Sequence, residues 1–322
     1  MFRTVTPPPE NPSREDIIWL AGPRLIGLIF NWGLLGVLTT QVYIYHINFP
    51  KDRRFLKAIV YIVYVLDWIQ TCSATYDAFQ WWVYGWGSIP ALYGLFTGFL
   101  NVPILSSIIG AIVQIFFGWR IWALSKSKIT FAGVIFLSLL QLGGGAAVAY
   151  YLYNDASEVT RSVGLVRAVG IRLAGSAAVD TVIAVSMTYF LVHSRGRTLS
   201  HTSAVLTRLV RLTIETGTVT ALAAVADLIF FVRAHNGLHQ ASGVILCKMY
   251  SNTLLVLFNN RLATAGETNV HELGPSSFQN AGRTRSAPSD PDAEWNLQPS
   301  VNSMEMKSYL RNGNEEQGER IR

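Results

Sequence analysis

The sequence is poor in charge and in cysteine. Only 14% of its 322 residues are Asp, Glu, Lys or Arg, against about a quarter in ordinary globular proteins. Its two cysteines, Cys72 and Cys247, are too few for a disulfide-stapled secreted domain. Disorder over most of the chain is excluded as well. Half of the residues are hydrophobic and the mean hydropathy is +0.30, enough to bury ample apolar surface. Basic residues outnumber acidic ones, 26 to 20, but they stand in small groups between apolar runs, which argues against a nucleic-acid partner. The motifs of soluble enzymes are missing: there is no GxxxxGK(S/T) phosphate loop, no GxSxG elbow and no HExxH helix. His235 and His239 are four apart, yet Gly237 between them weakens the helix that a shared metal face needs. No catalytic residue, metal site, cofactor or enzymatic activity is expected.

Long apolar runs are what the sequence does have. A bilayer core about 30 Å thick needs roughly 20 apolar residues of helix, and seven stretches qualify: Leu25–His46, Ala58–Ala78, Val102–Ala123, Ile129–Tyr151, Leu173–Val192, Leu212–Val232 and Ala241–Asn260. The expected fold is therefore all-α, a seven-transmembrane-helix bundle over residues 25–262. A short outer segment, 1–24, precedes it. A disordered cytoplasmic tail, 263–322, follows, rich in Asn, Ser, Pro, Gly and Glu. With the N-terminus outside, twelve Lys and Arg fall in inner loops and seven in outer ones, favouring N-out and C-in. The expectation is a multi-pass integral protein of the plasma membrane or an endomembrane, its chief partner the lipid bilayer. A small-molecule ligand and a cytoplasmic partner are compatible with this plan. Residues 79–101 hold Trp81, Trp82, Tyr84, Trp86 and Tyr93, a density that suits the membrane–water interface.

The chemically informative residues are the ionisable ones inside the runs: Asp67, Asp180, Glu215, Asp227 and Lys248. Each costs about 2.5–3.5 kcal/mol on insertion scales, so each should face the bundle interior and find a partner. Glu215 is one turn after Arg211, a pairing that satisfies it. Lys248, Asn252 and Asn259 share one face of the last helix, a polar stripe directed inward. Structural glue is the plainer reading of that stripe, and a substrate or ion path the sharper one. Measured from the expected outer helix ends, Asp180, Asp227 and Lys248 lie about 7–11 Å deep, and Asp67 about 16 Å deep. Lys248 is thus expected to pair with Asp180, Asp227 or both, with Asp67 able to join from helix two. Asp67, Asp180, Asp227, Lys248 and Asn252 form the candidate polar cluster or ligand pocket. Gly143, Gly144 and Gly145 are expected to let another helix backbone approach, and Gln114 and Gln141 to bond neighbouring helices.

Several ordered pieces resemble a known family. They are Gln41-Val42-Tyr43-Ile44-Tyr45, Phe49-Pro50-Lys51-Asp52, Leu66-Asp67, and Phe116-Phe117-Gly118-Trp119-Arg120-Ile121-Trp122, then Asp180, Ser194-Arg195-Gly196, Thr216-Gly217 and Lys248-Met249-Tyr250-Ser251-Asn252-Thr253. Over roughly residues 25–262 the chain is similar to basidiomycete seven-helix membrane proteins classed under a domain of unknown function. The resemblance implies a seven-helix topology and a fungal origin, and it supplies no activity. Function then rests on fold-level analogy: a receptor-like or sensory protein first, and a transporter or channel using the buried Asp and Lys groups as the alternative. A retinal-binding protein is the remote third reading, suggested by Lys248 on the last helix.

Overall fold

The computed structural model describes residues 12–154, 163–194, 217–232 and 238–272. By compactness the chain divides after Thr268. The first unit holds the helices discussed below, and the second, 269–322, lies almost wholly outside the described residues. No strand occurs among the described residues. The principal helices are α1 (Arg14–Asn48), α2 (Arg54–Phe79), α3 (Ser107–Ser125), α4 (Lys128–Asn154), α5 (Val163–Ser194) and α7 (Leu238–Glu272), with α6 over Gly217–Val232. Six helical stretches are long and apolar enough to cross a membrane: Arg14–Asn48, Arg54–Tyr84, Gly98–Ala123, Lys128–Asn154, Val163–Tyr189 and Leu238–Arg261. The helix α6 is apolar but shorter, and residues 195–216 before it, Glu215 included, are outside the described set.

The helices are inverted in character relative to those of a soluble bundle. Large apolar side chains such as Ile129 (86% exposed), Leu222 (72%) and Phe55 (65%) point outward, whereas Asp67, Asp180, Asp227, Lys248 and Gln114 are buried. Apolar residues outside and ionisable ones inside are the arrangement that lipid selects. Between the polar groups lies an apolar core that includes Leu35, Leu38, Val63, Ile109, Val113 and Leu254.

Three boundaries differ from the expected ones, each for a local reason. Helix α1 begins at Arg14 rather than near Leu25, inside the segment expected to precede the bundle. Ser13 caps it, accepting from the Asp16 amide while the Asp16 carboxylate accepts from the Ser13 amide. That reciprocal cap nucleates the helix, which then runs through Pro23 at the loss of one backbone bond. Helix α5 begins at Val163, ten residues before the expected start, so Arg167 and Arg172 are helical rather than part of a loop. Helix α7 runs on to Glu272, so the first residues of the expected disordered tail are helical. The remainder of that tail lies outside the described residues.

Between α2 and α3 the chain makes two wide π turns, Gln80–Tyr84 and Asn101–Ser106, flanking one-turn helices at Ile89–Leu92 and Gly98–Leu100. Pro103 has no amide proton to close an ordinary α turn, which accounts for the second widening. Small residues set the closest helix contacts. A side chain on Gly144 of α4 would meet the Arg172 amide nitrogen at 2.8 Å, and one on Gly27 of α1 would meet the Ala241 Cα at 3.0 Å. Gly145 is packed against Pro103 and Ser107, but Gly143 faces open space. Two of the three consecutive glycines thus do the packing expected of them.

Candidate functional site

The polar interior is organised around one face of α7. Lys248 is wholly buried and its Nζ donates twice to Asp67 of α2, to Oδ1 at 2.7 Å and to the backbone carbonyl at 2.7 Å. The same carbonyl accepts from Thr71 Oγ1 at 2.9 Å, and Gln70 donates to Ser106 Oγ at 2.9 Å. This junction gathers α2, α7 and the turn before α3.

The expected pairing of Lys248 with Asp180 or Asp227 is not what the structure has. Asp180 accepts from Gln114 Nε2 at 3.1 Å and from the Tyr250 hydroxyl, and no cation bonds it among the described residues. Gln114 also donates to Gln141 at 3.1 Å and accepts from Ser138 at 3.2 Å, while Ser176 and Tyr250 share a bond of 3.1 Å. Gln114 and Gln141 therefore do bridge helices as expected, joining α3, α4 and α5 to α7. The physical reason for the changed pairing is the face of α7 rather than depth. Asp180 meets Tyr250, two residues and about 200° round the helix from Lys248, so the lysine points away from α5 and toward α2. Lys248 is ten residues into α7, about 15 Å, and Asp67 is twelve residues from the end of α2, about 18 Å. These two share a level.

Asp227 belongs to a third group near the helix ends. Its Oδ1 takes Ser242 Oγ at 2.5 Å and His239 Nδ1 at 2.8 Å. His239 is thus a partner of a buried carboxylate rather than a loop residue, and His235 is outside the described residues. The carboxylate thus lies between the serine and the histidine, so His239 meets Asp227 rather than the Ser242 hydroxyl. Among the described residues no three His, Cys, Asp or Glu side chains group as metal ligands. Cys72 and Cys247 are free thiols.

The α7 stripe continues toward the other end of the bundle. Asn252 Nδ2 donates to the Leu34 carbonyl at 3.2 Å, and Asn259 Nδ2 to the Gln41 carbonyl at 2.8 Å. Beyond it Arg261 grips Asp52 in the α1–α2 loop with two bonds, 2.5 Å to Oδ2 and 3.2 Å to Oδ1. The Tyr45 hydroxyl adds a bond of 2.9 Å, and the Arg261 guanidinium lies 4.3 Å over the Phe49 ring. The Arg261 hydrogen bonds hold the Asp52 carboxyl below the usual carboxylate range.

All five candidate residues are buried, but the structure distributes them. Asp67, Lys248 and Asn252 belong to the α1–α2–α7 junction, Asp180 to the Gln114–Tyr250 network and Asp227 to the His239–Ser242 group. Sequence reasoning missed Tyr250, whose hydroxyl is hidden in an apolar count, and Arg172, which is buried inside α5. It also missed Asp77, which accepts from the Thr97 amide at 2.8 Å and the Thr97 hydroxyl at 2.7 Å. The signal for Asp77 was its place one turn before an aromatic segment that needed anchoring.

The α7 face lies within the part of the chain that resembles known sequences. Residues 176–263 match a family of unknown function, DUF6534. That stretch runs from Ser176 in α5 to just past Arg261 and so contains Asp180, Asp227, Lys248, Tyr250 and Asn252. No curated protein and no solved structure matches the chain. The molecule is a membrane protein built of apolar helices, similar over this region to a family without an assigned activity.

Proposed function

We propose that the chain is a receptor-like or sensory seven-helix membrane protein of fungal type, with its N-terminus outside, its C-terminus in the cytoplasm and no enzymatic activity. The observation that carries this reading is the Lys248–Asp67 pair, both side chains 0% exposed. A transport path needs charged groups that meet water first on one side and then on the other. Here the charges join α7 to α2, and the neighbouring polar groups join α7 to α1, α3 and α5. Rigid helices meeting at polar junctions suit a bundle that switches between packed arrangements. The seven-span topology has its own support. Arg24–Gln240, Leu34–Asn252 and Gln41–Asn259 advance together along α1 and α7, so these helices run parallel, which supports an odd number of crossings with α6 as the seventh.

The test is made on purified protein carrying Cys72→Ser. Spin labels on Phe55→Cys and Lys126→Cys should give two distance populations whose ratio changes in Asp67→Asn. A single unchanging population overturns the switching reading. In proteoliposomes, proton, sodium and potassium flux should equal that of empty vesicles; a flux lost in Lys248→Met favours the transporter. Added retinal should give no visible absorbance band, and a band lost in Lys248→Met favours the retinal protein.

A further inference from the structure

The aromatic segment after α2 is folded into one wall of a cleft of about 410 Å³ whose lining includes Trp81, Trp82, Trp86, Leu92 and, from α1, Ile17 and Ala21. The cleft is held in shape by specific bonds. Trp81 Nε1 donates to the Gly94 carbonyl at 2.9 Å, and the Arg24 guanidinium lies 4.4 Å over the Trp81 ring. Arg24 also donates to the Leu92 carbonyl at 2.7 Å and to Gln240 at 2.8 Å. Gly87, with φ of 75°, makes the turn that returns the chain, a conformation that favours glycine. Trp86 is 83% exposed, so one indole stands at an open rim. Interface tryptophans anchoring to headgroups need no such cleft.

We propose that this cleft seats the chain's own N-terminal proline segment, Pro7-Pro8-Pro9, in the extended polyproline conformation. Three observations carry the assignment. First is chemistry: aromatic-lined grooves are the surfaces that take polyproline, because proline rings pack on aromatic faces and the conformation is largely preformed before docking. Second is where the chain outside the described residues joins the structure. It enters α1 at Ser13, whose φ of −65° and ψ of 157° are already those of an extended chain. Ile17 and Ala21 lie one and two turns further on, about 6 and 12 Å below that cap. Docking requires the chain to reverse at Asn11-Pro12, a dipeptide that favours turns. At a polyproline rise of 3.1 Å per residue, residues 7–10 then supply about 12 Å of chain, enough to reach the level of Ile17 and Ala21. Third is tethering: a segment joined by a few residues acts at an effective concentration in the millimolar range, ahead of a free occupant of similar chemistry.

The test is disulfide trapping in membranes of the full chain carrying Cys72→Ser, with Pro8→Cys combined with Ser88→Cys at the cleft. The control combines Pro8→Cys with Tyr150→Cys, an exposed position near the same end of the bundle. Mild oxidation should give a link within one chain for the first pair and none for the control, read by mass spectrometry of the joined peptides. Links between chains would mean that a second copy holds the cleft, and equal linking of both pairs, or none at position 88, would mean that the segment does not dock. An independent measurement needs no cysteine: in hydroxyl-radical footprinting, Trp82 and Trp86 should oxidise faster once residues 2–11 are removed. Unchanged rates, with quenching of these tryptophans by brominated lipid equal in both chains, would overturn the proposal in favour of a lipid tail.

Discussion

Lys248 and Asp67, 181 positions apart in the sequence, form a buried salt bridge of 2.7 Å that is reinforced by a second bond from the same ammonium to the Asp67 carbonyl. An ion pair so deep adds little net stability over an apolar pair of similar volume, but stranding one partner costs about 3–5 kcal/mol. Lys248→Met and Asp67→Asn should each lower folded yield and melting temperature strongly. The double variant should recover much of the loss. Lys248→Met combined with Asp180→Asn should instead be close to additive. Additive losses for the first combination would show that the two charges are independent.

The second network gives a milder expectation. Tyr250→Phe removes the hydroxyl that donates to Asp180 and shares a bond with Ser176, leaving buried acceptors short of a donor at about 1–3 kcal/mol. Thermal unfolding in detergent should show that loss, and Asp180→Asn in the Tyr250→Phe background should recover part of it. No recovery would separate the two residues energetically.

The glycines of α4 provide an internal control. Gly144→Ala drives a methyl into the Arg172 backbone and should destabilise by about 1–3 kcal/mol through overpacking. Gly143→Ala meets nothing within 4 Å and should be neutral or stabilising by up to about 1 kcal/mol, since alanine is the better helix former. Equal melting shifts would contradict the contact between α4 and α5.

At the loop end, acid should loosen the Arg261–Asp52 clasp. The Asp52 carboxyl is depressed below its ordinary value of 3.8, chiefly by the Arg261 hydrogen bonds, so the folded state binds its proton less readily than the unfolded chain does. Its stabilisation is therefore fully present above that ordinary value and is lost as pH falls through the depressed one. Melting curves of the wild type and Asp52→Asn should be offset by a constant amount above about pH 5 and converge below pH 4. A constant offset across that range would remove Asp52 from the acid response.

The sequence made the helices legible because apolar length is a local property, and it made the burial of Asp67, Asp180, Asp227, Lys248 and Asn252 legible because lipid admits few alternatives. Partnership was less readable. Depth along a helix can be counted only from the correct helix end, and the ends of α1 and α5 lie about ten residues from where hydropathy alone sets them. The Ser13–Asp16 cap was a visible signal for the first of these. For α5 the obstacle was Arg167 and Arg172, which read as loop charges until the interior that buries Arg172 is known. Which helix meets which face of α7 is a further coordinate that no periodicity records, and it brings Asp67 rather than Asp180 to the lysine.

The parallel register of α1 and α7 also has a consequence for biogenesis. The bonds that join these helices link residues 216–218 positions apart. At 5–20 residues per second the ribosome needs roughly 10–40 s between making the two halves of each bond. Throughout that interval the first helix resides in the bilayer with the Leu34 and Gln41 carbonyls lacking their Asn252 and Asn259 donors, and Asp67 waits for its lysine. Closure of the bundle is thus a late, near-terminal event in synthesis. A chain truncated before Lys248 would present an unpaired carboxylate in the membrane, a natural mark for chaperone retention or degradation.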